Sequence, residues 1–265
     1  MVAPPLTGNS TPPRYNVLGV GVSALTLPQA RDLILGAKGG PQHGYVCCGT
    51  AHGLVEARTD PKLRRIYNES WLTTPDGMPL VWLGPKGVGR VYGPDLMLAV
   101  CDAGRSIGLR HYLFGGRPGV APLLAENLLR RFPGVDIVGT MTPPFGAVEE
   151  LGVEALRADV IRTQPDVIWV GLGSPKQEHF MAAHCEELDV GVLIGVGAAF
   201  DFHSGRVRQA PSWIRGSGFE WLFRVCMEPR RLGWRYLRGN PLFIAHLVAQ
   251  KLGSRRYELG RGSTD

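Results

Sequence analysis

Short apolar runs alternate with helical patterns along this chain. That alternation predicts an α/β fold: a doubly wound, mainly parallel, Rossmann-like sheet with a C-terminal helical appendage. Three observations carry the prediction. Runs such as Asp166–Val170 and Gly191–Val196 are short, almost wholly apolar and end in glycine-rich turns, as strands buried on both faces do. Helical patterns separate successive runs, so the strands are joined by crossovers and come out parallel. After Gly205 the alternation stops and the chain becomes rich in Trp, Tyr and Arg. The division expected is a flexible tail over 1–15, an α/β ligand-binding domain over 16–205, a basic aromatic appendage over 206–252, and a flexible tail over 253–265.

Composition bounds the function. With 265 residues, 44% of them hydrophobic, the chain suffices for one sizeable domain and an appendage. Its five cysteines contain no C-x-x-C pair, so they fit neither a zinc site nor a disulfide framework and point to a reducing cytosol. The opening MVAPPLTGNSTPPRYN lacks the basic-then-apolar layout of a signal peptide and reads as a frayed tail. No uncharged apolar run approaches the roughly 18 residues that suggest a membrane span. The net charge of +6 is unevenly placed: from Arg206 onward there are 12 Lys and Arg against 4 Asp and Glu, and before it 17 against 19. A basic tail on a near-neutral domain suits a membrane surface or a phosphorylated ligand, more than a protein coated in nucleic acid.

Taken in order, Tyr15–Leu27 is strand-like and Pro28–Ala37 reads as a helix starting at its proline. Gly19-Val-Gly21-Val-Ser-Ala24 formally matches the G-x-G-x-x-A dinucleotide fingerprint. The helix starts several residues too late for it, however, and no acidic residue follows the next strand, Tyr45–Cys48. Glycines at a close packing contact within a strand are the preferred reading. Gly49-Thr50-Ala-His52 follows, then helical segments Leu54–Arg58 and Asp60–Asn68, the latter with a good Asp-Pro start. Cys48, Thr50 and His52 sit at that strand's carboxyl end. The next strand leads into Thr74-Pro-Asp76-Gly, where Asp76 either caps the following helix or faces a ligand; its place at a strand's carboxyl end favours the ligand.

Arg90 and Asp95 flank the start of a helix running to about Ile107, as a structural pair or as groups beside a substrate. The strand Arg110–Phe114 ends at Gly115-Gly116-Arg117-Pro118-Gly119, a turn compatible with phosphate or ribose, before a helix over Val120–Arg131. Val135–Thr140 is a further strand, followed by a Pro-rich loop (Met141–Gly146) and a helix ending near Thr163. After Asp166–Val170, the turn Gly171-Leu-Gly173-Ser-Pro-Lys176-Gln177-Glu opens a helix. Ser174 is placed to cap it, Pro175 suits its first turn, and Lys176 makes it a seat for an anion. Gly195-Val-Gly197 and Asp201 close the last strand, with Asp201 suited to ribose hydroxyls or a base edge. Past Gly205, Pro211–Met227 and Pro229–Arg238 read as helices, and Asn240-Pro241 caps a last apolar segment, Leu242–Leu252. Arginines among aromatic and apolar residues suit either a membrane interface or a packing appendage.

The segments TPDGMPLVW, RVYGPDLM, LFGG-x-PGV, VGLGSPKQE and GVGAAFDFHSG-x-x-x-QAP, with EWLFR…EPRR…RYL, closely resemble the WecB/TagA/CpsF glycosyltransferases from about Asn16 to Leu252. The resemblance implies inverting, metal-independent transfer from a UDP-sugar, often UDP-N-acetylmannosamine, to an undecaprenyl-diphosphate-linked saccharide in cell-surface polysaccharide assembly. No cofactor or metal is then expected, and the absence of a D-x-D motif agrees. Carried over by motif, Asp76 is the general base and Arg90 an acceptor or diphosphate contact. Gln177 is the pocket glutamine, and Asp201 lies at the uridine end. Arg224, Arg231, Arg235 and Arg238 lie in an appendage that closes over the site at the membrane. Many relatives carry a T-x-N pair where this chain has Cys48-Gly49-Thr50, which keeps glucose or glucuronate donors open. The expected location is the cytoplasmic face of the plasma membrane, held peripherally, without nucleic acid; homo-oligomerisation stays open. Two other classes match parts of the chain: an NAD(P)-dependent oxidoreductase using Gly19–Ala24, and a nucleic-acid-binding protein using the basic tail.

Overall fold

The computed structural model describes residues 11–40, 44–144, 146, 152–211, 214, 217, 220–227, 229–252 and 257–259. A six-stranded, wholly parallel sheet forms the centre. Its strands are β3 (Gly44–Gly49), β4 (Leu72–Pro75), β5 (Arg110–Gly115), β6 (Asp136–Met141), β7 (Val167–Gly171) and β8 (Val192–Gly195), in the order β4-β3-β8-β7-β5-β6. Alternate residues along each strand supply two cores. Cys47, Tyr112, Phe114, Ile168, Val170 and Leu193 pack under α2 (Ala51–Thr59), α3 (Pro61–Glu69), α7 (Val153–Thr163) and α8 (Lys176–His184). Val46, Leu113, Trp169 and Ile194 pack under α1 (Leu27–Gly36), α5 (Gly93–Gly104), α6 (Val120–Arg131) and α9 (Ala199–His203). Burial on both faces explains why these strands are near-continuous apolar runs. The short helix α4 (Met78–Leu83) follows β4.

The N-terminal stretch differs from the single strand expected. It is an antiparallel hairpin, β1 (Arg14–Val17) and β2 (Val20–Ser23), and its strand begins at Arg14, within the expected tail. Leu18 and Gly19 both adopt positive φ, 54° and 88°, the requirement of a two-residue turn matched to strand twist. Leucine is a poor residue there. Its cost is offset by complete burial and by the bonds from Leu18 N–H to Gln250 Oε1 and from Gly19 N–H to Asn16 Oδ1. The hairpin guards the β4 edge: Thr73 N–H donates to Ser23 Oγ, and the Arg14 guanidinium donates to the carbonyls of Tyr67, Asn68, Ser70 and Trp71. Gly19 and Gly21 therefore sit in a hairpin outside the parallel sheet. The strand–turn–helix that a dinucleotide fingerprint requires is missing, and the oxidoreductase reading fails.

The appendage contains α10 (Glu220–Met227) and α11 (Pro229–Lys251). Pro241 was expected to start a separate helix, yet α11 runs through it unbroken. An interior proline forfeits one backbone bond, and packing compensates: α11 lies along α2, with Phe243 buried and Leu247 against the same core. Tyr257–Leu259, expected in a loose tail, lie against the hairpin. Asn16 Nδ2 donates to the Tyr257 carbonyl, and the Tyr257 hydroxyl meets His246.

Candidate active site

All six parallel strands end at one cavity of about 1010 Å³, large enough for a nucleotide sugar. Cys48 comes from the end of β3, Asp76 follows β4, Gly116 follows β5 and Thr142 follows β6. The Gly171-Leu-Gly173 turn leaves β7, and Val196 and Gly197 leave β8. The carboxyl edge of a doubly wound sheet is where such a cavity forms, because successive connections leave it in opposite directions. Close backbone approach makes it compact: a Cβ on Gly115 would stand 2.6 Å from the Gly171 carbonyl carbon, and one on Gly171 would stand 2.5 Å from the Phe200 ring.

Asp76 does not cap α4. Gly77 takes the N-cap position, without a side-chain bond, and the Asp76 carboxylate accepts instead from Gly93 N–H at 3.1 Å. Asp76 N–H donates to Gly49 O at 3.1 Å, and Arg90 Nε donates to the Asp76 carbonyl at 2.8 Å. The carboxylate is thus held between the ends of β3 and β4 and the start of α5. Cys48 lies close enough to feel it: burial first, then the charge of Asp76, push the thiol well above its ordinary range, while a bond with Thr74 opposes the shift. Cys48 remains a protonated wall of the cavity, not a nucleophile.

Gln177 is 4% exposed, and its Nε2 donates to the Glu178 carboxylate at 3.2 Å. With Nε2 as the donor in this bond, Oε1 is the acceptor end of the amide. That Oε1 has no hydrogen-bond partner among the described residues, and Gln177 lines the cavity, so the oxygen is placed to accept from a ligand N–H or O–H. The expected Ser174 cap is absent: α8 begins at Lys176 with Pro175 at its N-cap and no side-chain bond. Gln177 N–H bonds to Gly173 O at 2.9 Å, so the backbone closes this turn itself and Ser174 lines the cavity. Lys176 donates to Gly146 O and keeps further ammonium protons for an anion. Asp201 also lines the cavity, in the first turn of α9, which His203 fastens to the Pro94 carbonyl at 2.9 Å.

Of the residues picked from sequence, Cys48, Thr50, Asp76, Gly116, Gly173, Lys176, Gln177, Gly197 and Asp201 line this cavity. Thr50 also caps α2 through Gly53 N–H. Gly115 seals the wall behind them against Gly171. Asp95 is half-buried in the first turn of α5, outside the lining. His52 turns away: its Nε2 lies 3.2 Å from Glu56, and its ring packs where Gly239 of α11 has no side chain.

Arg90 stands behind Asp76, stacked over the Tyr92 ring at 4.2 Å and paired with Glu220 at 2.5 Å. Burial works against its charge, yet Asp76 and Glu220 hold its pKa above the ordinary arginine value. The side chains of Arg224, Arg231, Arg235 and Arg238 lie outside what the structure describes. Sequence reading did not single out Tyr92, Arg117 and Thr142 in the lining, or Glu220 behind it. For the first three, the signal available was position just past a predicted strand end or beside a motif residue.

Compared with known proteins, residues 15–257 match the model of the glycosyl transferase WecG/TagA/CpsF family. A curated relative, the N-acetylglucosaminyldiphosphoundecaprenol N-acetyl-beta-D-mannosaminyltransferase of Bacillus spizizenii, is 27% identical over 203 residues, which cover 75% of this chain and 76% of the relative.

Proposed function

The chain belongs to the glycosyl transferase WecG/TagA/CpsF family, and from that premise we propose that it moves a sugar from a UDP-sugar to an undecaprenyl-diphosphate-linked saccharide. The transfer inverts the anomeric centre, needs no metal, and serves bacterial cell-surface polysaccharide synthesis. N-acetylmannosamine, the sugar in the relative's name, is the first donor to test; another hexose or a hexuronate is the next. One observation carries the reading: the carboxylate of Asp76, the unpaired oxygen of Gln177 and Asp201 line one cavity among glycine turns.

In this mechanism the acceptor hydroxyl gives its proton to the Asp76 carboxylate as its oxygen attacks the anomeric carbon. The bond from that carbon to the UDP oxygen breaks on the opposite face, and UDP leaves with the electron pair. A single displacement inverts configuration. Base assistance of this kind is worth about 10²–10⁴-fold. Lys176 and Arg117, both lining the cavity, supply positive charge where the diphosphate gathers negative charge, and the appendage arginines are candidates to add to it.

The appendage supports attachment to a membrane surface. Among the described residues no helix is long and apolar enough to cross a membrane. On α11, however, Ile244 and Val248 are 61% and 50% exposed, and Leu252 just past its end is 76% exposed, at four-residue spacing, a stripe turned away from the buried Phe243. That stripe suits the peripheral position from which a lipid-linked acceptor is reached.

A UDP-release assay tests the reaction. A panel of UDP-sugars is offered with a short-chain polyprenyl-diphosphate saccharide, wild type beside Asp76→Asn. Asparagine still accepts from Gly93 N–H, so the turn survives while the base is lost. Acceptor-dependent release from one donor, falling about 100-fold or more in the variant with UDP affinity kept, is the expected result. Full turnover by the variant removes Asp76 as the base, and a wild type that does not bind UDP overturns the proposal.

A further inference from the structure

The pair between Arg90 and Glu220 joins segments 130 residues apart and is largely shielded from solvent, with the two side chains 16% and 11% exposed. Glu220 opens α10, in the appendage, whereas Arg90 belongs to the loop that holds Asp76. We propose that Glu220 is a positioning residue: by holding Arg90, it lets docking of α10 set Asp76 in its working place. The proposal rests on reading Asp76 as the base.

The geometry gives the route. Glu220 Oε2 holds Arg90 Nη2 at 2.5 Å, and the guanidinium plane lies over Tyr92, which itself lines the cavity. In this pose Arg90 directs Nε at the backbone carbonyl of Asp76. The same turn is clasped by Gly93 N–H on the carboxylate and by Asp76 N–H on Gly49 O. Without Glu220, the guanidinium keeps its charge in a place where burial disfavours it, and the acid that still acts on it is Asp76. Arg90 then turns from the carbonyl of Asp76 to its carboxylate. The base loses both its pose and its affinity for the acceptor proton, although no residue touching substrate has changed. Docking of the appendage and readiness of the base thus become one event.

The test uses the full chain with Glu220→Gln, which keeps size and an acceptor oxygen but loses charge, and Glu220→Asp, which keeps charge on a shorter arm. Hydrogen exchange of peptides covering residues 76–93 reads the coupling without needing turnover; UDP release reads kcat and the donor KM. The expected result for Glu220→Gln is exchange at least tenfold faster across 76–93 and a kcat at least tenfold lower, with donor KM within twofold of wild type. Glu220→Asp should fall between the two proteins.

Exchange and kcat unchanged over 76–93, with α10 alone exchanging faster, would overturn the proposal: Glu220 would then anchor the appendage and nothing more. A wild type inactive with every donor overturns the enzymatic reading instead, and the exchange arm still decides the coupling. If Glu220→Gln loses its cooperative melt, Glu220→Asp is read by the same exchange criterion.

Discussion

Substituting Gly115 by alanine measures how tightly the cavity wall is built. Gly115 has φ of +129°, in the half of conformational space that side chains avoid, which costs about 1–3 kcal/mol for an L residue. The new Cβ would also stand 2.6, 2.7 and 2.8 Å from the carbonyl carbon, oxygen and Cα of Gly171. Those atoms cannot retreat. Gly171 is paired with Gly115 in the sheet, its carbonyl accepts from Gly116 N–H at 3.0 Å, and its other side is filled by Phe200. Overpacking against fixed backbone adds about 1–3 kcal/mol. Together the two terms amount to about 2–6 kcal/mol, or a fall in Tm of about 4–24 °C in a domain of this size.

Two controls separate these terms. Gly134 has φ of +89° with nothing within 4 Å of its added Cβ, so Gly134→Ala carries the conformational cost alone. Gly36 has open space and an ordinary φ at the end of α1, so Gly36→Ala should be neutral or stabilise by up to about 1 kcal/mol. Calorimetric melts of the three variants rank them. If Gly115→Ala melts within a degree of Gly134→Ala, the argument from close approach at the cavity wall is wrong.

Two further outcomes are expected. Burial pushes the His111 imidazole down to about 4 against the pull of Asp166, so the unfolded chain takes up the proton first. The stability that neutral His111 supports is complete above about pH 6.5 and is lost as pH falls toward 4, by about 2 kcal/mol at pH 5. His111→Asn keeps an acceptor for Trp169 Nε1 and should flatten the difference between urea unfolding at pH 7 and pH 5; identical slopes in the two proteins would refute this. Replacing Ile244 and Val248 together by glutamate should at least halve co-sedimentation with anionic lipid vesicles while leaving the melt unchanged, since both side chains are exposed. Undiminished co-sedimentation would remove this stripe as the contact.

The central domain was legible because its strands advertise themselves. A strand covered on both faces must be apolar at every position, and the turn after it must be polar or glycine-rich, so β7 and β8 and the turns behind them stand out locally. Asp76, Gln177 and Asp201 could be picked for the same reason: each lies a few residues past a readable strand end, and parallel strands send all such ends to one side. The hairpin was illegible because Leu18 is a poor residue for the first position of its turn, sustained there by burial and a long-range bond to Gln250. The unbroken α11 was illegible because Pro241 is a local stop signal overruled by packing of Phe243 on a core built from distant segments.

The sequence alone determined the alternation of strand and helix, hence a parallel sheet, hence a loaded carboxyl edge, since each of these follows from patterns a few residues long. Only the tertiary structure decided which of the residues at that edge share the cavity. It turned His52 toward α11, set Arg90 behind Asp76 and brought Glu220 to it from the appendage. The physical reason is that a side chain's direction near a strand end is chosen by what packs against it, and those partners come from the far end of the chain.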